Sequence, residues 1–379
     1  DLSQMTVTPP PHSSKDADFT FTVTTVDPDD DGIGLPATGS QDLTQTVVVT
    51  PVAEKVVDDS GDVVDSDGDG TPDLTINPDY TYTANADEDA AFDLNSDGFD
   101  LKGYWNNQDD SEDTFAHMTF GNKNGSNFTS VEGAVFTYIN SDTGETISLT
   151  DNGNGVDIPM EYLDTITVTP PQDYSDFNLA SGAETAVKVE AKTVDVDEDG
   201  GATDTAISGE SYLTFEVKGV ADPATLAVDP ARGFEDQAIT GGNNRDTAAD
   251  MRAESEGGDV IPNAGIPLNI RPSSRDDDGS ETYDVTISDI PAGVQLYQDN
   301  NGTVTLLDTS SGSVTIADYT KIVDNLYFVP AENFSGTVNL KVQAVSKEDG
   351  TTGTPSPMLN LPVKVIGKAD LITNDDLAT

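Results

Sequence analysis

DTITVTPPQDYSD, residues 164–176, and DNLYFVPAENFSG, residues 324–336, follow one plan: an alternating strand, a proline, an acidic or amide residue, an aromatic residue and a small one. A third copy, MTVTPPPHSS, starts at Met5. After each copy comes a stretch with apolar residues at every second position: Phe19, Phe21 and Val23, then Val187, Val189 and Ala191, then Val338, Leu340 and Val342. Period two is the mark of a half-buried strand. Each strand runs into an acidic loop, DPDDDG from Asp27, DVDEDG from Asp195 and SKEDG from Ser346. A second alternating strand follows (Val47 and Val49, Phe215 and Val217, Val363 and Val365), and each copy closes on a tripeptide: Val52-Ala53-Glu54, Val220-Ala221-Asp222 and Lys368-Ala369-Asp370. Such self-similarity is the signature of a tandem array.

The first halves of the units repeat as well. ADEDAAF, holding Glu88-Asp89, matches GFEDQAI, holding Glu235-Asp236; NNQDDSEDTF matches SSRDDDGSETY. The expected organisation is therefore a partial β-sandwich repeat over 1–53, complete repeats over 54–221 and 222–369, and the start of another or a linker over 370–379. Residues 1–53 bury too little surface for a sandwich of their own, so they are expected to be a reduced half-domain or one completed in trans. The first complete unit carries an insertion with DSDGDGTPD, residues 65–73. The second carries an inserted loop, 240–265, in which 246–256 has the composition of a short helix.

Composition removes several function classes. The 379 residues hold 17 Lys+Arg against 70 Asp+Glu, a formal net charge of -53, with no cysteine and two histidines. Such a field repels phosphate backbones and anionic lipid, so no nucleic-acid partner is expected. No apolar run approaches the roughly 18 residues of a spanning helix, so no membrane insertion is expected either. With no secretory leader at Asp1, the chain reads as an internal fragment or a mature product. Disulfides and thiol chemistry are absent with cysteine. His12 and His117 fall in different units and no nucleophile-elbow or zinc-protease motif occurs, so the chain reads as a non-enzyme with no catalytic residues.

The acidic loops carry the chemistry. A hard divalent cation takes six to eight oxygen ligands, and a D-x-D-x-D-G turn converges alternate carboxylates on one point while glycine permits the bend. Asp27, Asp29 and Asp31 fit, as do Asp195, Asp197 and Asp199, and Asp65, Asp67 and Asp69 with Asp73 further on. Ile76 stands where an EF-hand places its bidentate Glu, so the last loop is a calcium loop of another kind. A second class of carboxylates lies near the unit boundaries: Glu88 and Asp89, Asp109, Asp110 and Glu112, Glu235 and Asp236, Asp277, Asp278 and Glu281. Calcium there would join consecutive units and stiffen the hinge between them, and DSDGDGTPD would stiffen the entry to the first complete unit.

The FEDQAI start, DDDGSETYDVTISDIPAGVQL from Asp276, NFSGTVNLKVQA from Asn333 and VKGVADPATL from Val217 resemble the Ig-like or cadherin-like β-sandwich repeats of large bacterial RTX adhesins, the biofilm-associated, type I-secreted class. The resemblance covers essentially the whole chain and is specific to the repeat class. It implies an all-β fold of tandem calcium-stabilised sandwiches in an elongated rod, several Ca²⁺ ions within and between repeats, and an extracellular place on a bacterial cell surface. It also implies a role as extender, projecting a ligand-binding region for adhesion and biofilm formation. Two features depart from the family: its glycine-rich nonapeptide repeats are absent, and SKEDG lacks the acidic triplet, so that loop is read as metal-free. Neighbouring repeats are the expected partners and the chain is expected to be monomeric. The alternative reading is a calcium-dependent module for a surface glycan or peptide, with Trp105 beside Asn106-Asn107-Gln108-Asp109 as a stacking platform.

Overall fold

The computed structural model describes residues 6–10, 13–27, 37–53, 79–102, 112–201, 203–235, 265–276, 278–300, 303–319 and 326–367. The DSDGDGTPD loop, the predicted helix over 246–256, Trp105 and residues 370–379 lie outside them. The chain divides into two compact units, Asp1–Val217 and Lys218–Thr379.

In the first unit β1 (Ala17–Asp27) and β2 (Ala37–Val47) form a two-stranded antiparallel ribbon. A sandwich follows, made of β3 (Tyr80–Thr81), β4 (Ala86–Asp87), β5 (Phe92–Asp93), β6 (Glu112–Asn124), β7 (Asn127–Ser130), β8 (Val135–Ile139), β9 (Thr146–Thr150), β10 (Val156–Pro159), β11 (Thr167–Thr169), β12 (Glu184–Val196) and β13 (Thr203–Phe215). One sheet runs β10-β6-β12-β13-β3 with β7 on β6, and the other β5-β11-β8-β9. The two-residue β14 (Val217–Lys218) lies at the division between units.

The second unit holds β15 (Thr225–Asp229), β16 (Ala231–Phe234), β17 (Ile266–Ser273), β18 (Thr282–Ser288), β19 (Gln295–Asn300), β20 (Thr303–Leu306), β21 (Val314–Ile316), β22 (Leu326–Val329), β23 (Gly336–Glu348), β24 (Thr351–Thr352) and β25 (Leu359–Ile366). Its sheets run β15-β17-β22-β19-β20 and β16-β25-β23-β18-β21, with β24 on β23. In both units an early strand lies parallel to the last one, β3 on β13 and β16 on β25. These are tandem Ig-like β-sandwiches.

Alternation in the sequence becomes the two faces of the sheets. Val187, Val189 and Ala191 of β12 enter a core with Met118, Phe120, Phe136 and Phe215; Val338, Leu340 and Val342 of β23 enter one with Leu268, Val285, Leu296 and Phe328. The repeated motif folds alike in both. Asp173 and Asn333, its matching positions, both adopt left-handed backbone, at φ 54° and 55°, the conformation that Asp and Asn enter more readily than other side chains. Gly133 (φ 104°) packs on Pro171 where Gly293 (φ 87°) packs on Ala331.

Candidate functional site

In both units the tip of the long β-hairpin meets residues of a boundary tripeptide, Val52 and Ala53 in the first and Ala221 and Asp222 in the second. In the first unit that hairpin is β12–β13, and its register places Glu112, Asp195 and Asp204 in one row across β6, β12 and β13. Like charges opposite one another repel. Asp195, which is buried, accepts the Val52 N–H at 3.0 Å; Asp204 accepts the Ala53 N–H, also at 3.0 Å. Beyond them Asp199 accepts the Asp16 N–H at 2.7 Å, Asp16 accepts the Val49 N–H at 3.0 Å, and the Glu198 N–H donates to the Ser14 hydroxyl at 3.0 Å. Asp197 closes the loop on itself by accepting the Asp199 N–H.

The second unit builds the same clamp with a shorter hairpin. Glu348 faces Thr351 across a two-residue turn of Asp349 (φ 41°) and Gly350 (φ 82°), the Asp-Gly sequence that suits a turn with both central residues at positive φ. The Ala221 N–H donates to Thr351 Oγ1 at 2.7 Å, as that of Ala53 does to Asp204. The Asp222 N–H donates to Glu281 Oε1 at 2.7 Å, the Gly219 N–H to Asp349 Oδ2 at 3.3 Å, and the Ser346 hydroxyl to the Asp222 carbonyl.

Here the carboxylates also collect. Asp276 and Glu348 are both buried, and each offers an oxygen within 4.8 Å of the other. Asp276 accepts the Asp278 N–H at 2.9 Å and the Ser280 hydroxyl at 3.3 Å; Asp278 accepts the Ser280 N–H at 2.7 Å. The Tyr283 hydroxyl donates to Glu281 Oε2 at 3.3 Å. Among the described residues neither oxygen of Glu348 has a hydrogen-bond partner, nor has Asp222 Oδ2. Buried oxygens without donors are costly, and Gly219 crowds them further, because a Cβ there would collide with Glu348 Oε1. Burial, reinforced by the charges of Asp276 and Glu348, pushes the Glu281 carboxyl up to about 7. Burial, with Asp276, Asp278 and Asp349 nearby, raises that of Glu348 as well. An all-oxygen set of this kind suits a hard divalent ion such as calcium and offers nothing to a soft one.

Asp195, Asp197 and Asp199 thus share one loop, but their carboxylates hold backbone N–H groups in this arrangement. Asp278 and Glu281 sit in the cluster of the second unit. Asp27 ends β1 and is exposed; Glu112 opens β6. Glu88 is buried just after β4, Asp89 (φ 58°) accepts the Asp173 N–H, and Glu235 follows β16 with its N–H on the Ile366 carbonyl. Asp29, Asp31, Asp65, Asp67, Asp69, Asp73, Asp109, Asp110, Asp236 and Asp277 lie outside the described residues. Asp16, Asp204, Asp222, Asp276, Glu348 and Asp349 are additions made by the structure. Aligning SKEDG with DVDEDG on their glycines sets Glu348 against Glu198; by their hairpin pairings Glu348 faces Thr351 as Asp195 faces Asp204, the two residues that accept the Ala221 and Ala53 N–H groups. The loop that lacks the triplet keeps the carboxylate at the strand end.

No protein-family profile matches the chain, and no curated protein does. Among solved structures it is similar to murine CEACAM1b (10% identity, 74% of this chain and 96% of that one, TM-score 0.21) and to the FN1-FN3 domains of chicken CNTN1 (9% identity, 78% and 67%, TM-score 0.16). A run of titin domains is a third (10% identity, 94% and 95%, TM-score 0.19). The assignment to Ig-like sandwiches rests on the sheets and cores described above.

Proposed function

We propose that this chain is a calcium-rigidified extender segment of a bacterial cell-surface adhesin, which projects a ligand-binding region for adhesion and biofilm formation. The observation that carries the reading is the buried Glu348, its oxygens without donors, beside Asp276 at the clamp that fixes residues 219–222 to the second unit. Asp276, Asp278 and Glu348, with Asp222 and Glu281 beside them, would hold a Ca²⁺ ion there, which supplies the positive charge that the carboxylates lack. The residues themselves tie Val52 and Ala53, and Ala221 and Asp222, to carboxylate and hydroxyl groups of their own unit. Outside a cell, where calcium is millimolar, sites with dissociation constants of about 10⁻⁴ to 10⁻³ M are filled.

No helix among the described residues is long and apolar enough to cross a membrane. Tandem sandwiches that repeat one plan suit a spacer whose length grows with copy number, and the acidic surface keeps units from adhering to one another. Metal stoichiometry by native mass spectrometry together with small-angle scattering tests the reading. Calcium is expected to bind and to narrow the distribution of interatomic distances relative to EDTA. A chain that binds no calcium, or scatters identically in both conditions, is not such an extender.

A further inference from the structure

The ribbon β1–β2 repeats a pairing found in both sandwiches. Ala17 faces Val47 in the ribbon, Thr185 faces Phe215 in the first sandwich and Gly336 faces Val365 in the second, and each antiparallel ladder runs on from there. In the sandwiches the other edge of the leading strand is taken by an antiparallel neighbour, β6 on β12 and β18 on β23. The inward residues of that neighbour are apolar at alternate positions: Ala116, Met118 and Phe120 in one case, Tyr283, Val285 and Ile287 in the other.

β1 has the same inward pattern without the cover. Among the described residues only β2 pairs with it. Phe19 and Phe21 are half-buried, Val23 is 45% exposed, and Leu43, which faces Phe21, is 50% exposed. The matching Val187, Val189, Val338 and Leu340 are buried. Edge strands of folded proteins are normally guarded by lysine, proline, a bulge or shortness. β1 spans eleven residues, ADFTFTVTTVD, with neither lysine nor proline, and its register to β2 is unbroken. Its two charges, Asp18 and Asp27, stand at its ends, which leaves the middle of the strand open to the addition of another.

We propose that β1 is an acceptor edge: β1–β2 is the closing hairpin of a further sandwich, and it takes along β1 an antiparallel strand of the β6 and β18 type from the body of another repeat of this kind. The chain seats the same hairpin in that way twice. A second copy pairing β1 to β1 is the competing occupant, and it would bring together two chains that each carry a net charge of -53.

The test is a hybrid in which residues 222–335, the body that β23 completes, are placed directly ahead of residue 17 in the chain, because Ala17 and Gly336 hold the same register position. A second hybrid carries Phe19→Val and Phe21→Leu, which match the side-chain sizes at Val338 and Leu340. The β1 amides that point away from β2 are expected to exchange at least about 100-fold more slowly than in the parent, with one added calorimetric transition. Val23→Lys in the hybrid should remove both effects and leave the other transitions in place. Exchange at the parent rate in both hybrids overturns the proposal. So does a parent chain that is already dimeric, with slow β1 amides that Val23→Lys releases.

Discussion

Replacing Glu348 with glutamine should make the second unit more stable without calcium and less stable with it. The two signs have separate origins. In EDTA, Glu348 is a buried carboxylate facing Asp276, Asp278 and Asp349, raised in pKa by burial and by those charges; an amide of the same shape removes a charge from the cluster and can donate to its oxygens. With calcium the same change removes a charged ligand. A site with a dissociation constant of about 10⁻⁴ M, in 10⁻² M calcium, stabilises the fold by about 2.7 kcal/mol. For a unit of this size that amounts to a rise in Tm of roughly 5–11 °C. If the substitution weakens binding by about 100-fold, the gain falls to about 0.4 kcal/mol, or roughly 1–2 °C. Differential scanning calorimetry of parent and variant in EDTA and in calcium reads both numbers from the transition of the second unit, while that of the first serves as an internal reference. A variant whose calcium-induced shift equals that of the parent would remove Glu348 from the site. One that is destabilised in EDTA would refute the claim that its charge is uncompensated.

Three further outcomes are expected. Glu281, raised to about 7 in the fold, binds its proton more tightly folded than unfolded, so its contribution to stability is fully present below the ordinary glutamate pKa and is lost as pH rises through about 7; in EDTA the Tm of the second unit should fall between pH 5 and pH 8, and Glu281→Gln should flatten that slope. Gly219→Ala drives a methyl group into Glu348 Oε1 and should cost about 1–3 kcal/mol, with weaker calcium binding by titration calorimetry; a neutral result would mean that the 219–222 segment does not lie against the cluster. Asp195→Ala leaves the Val52 N–H without its acceptor and should cost about 1–3 kcal/mol, with faster exchange of the Val52 amide by NMR; unchanged exchange there would deny the clamp in the first unit.

What the sequence determined by itself is everything that depends on near neighbours along the chain. Alternate residues of an extended segment point to opposite faces, so Val187, Val189 and Ala191, or Val338, Leu340 and Val342, declare a strand and its buried side without any knowledge of a partner. The left-handed backbone of Asp173 and Asn333 is as local in origin, but it was the structure that disclosed it. The tertiary structure alone decided which strands are neighbours, and with them the composition of the site. Val52 and Asp195 are 143 residues apart, and Ala221 and Thr351 are 130 apart. Read as a sequence, acidic loop and boundary tripeptide are separate features; folded, they are the two halves of one clamp. Aligning the loops on their glycines hid the likeness of Glu348 to Asp195, each of which faces the residue that accepts a tripeptide N–H, since a hairpin loop can change length without disturbing the pairing beside it. The same limit applies to β1, whose alternation promised a half-buried strand while only the pairing showed that one of its edges has no neighbour among the described residues.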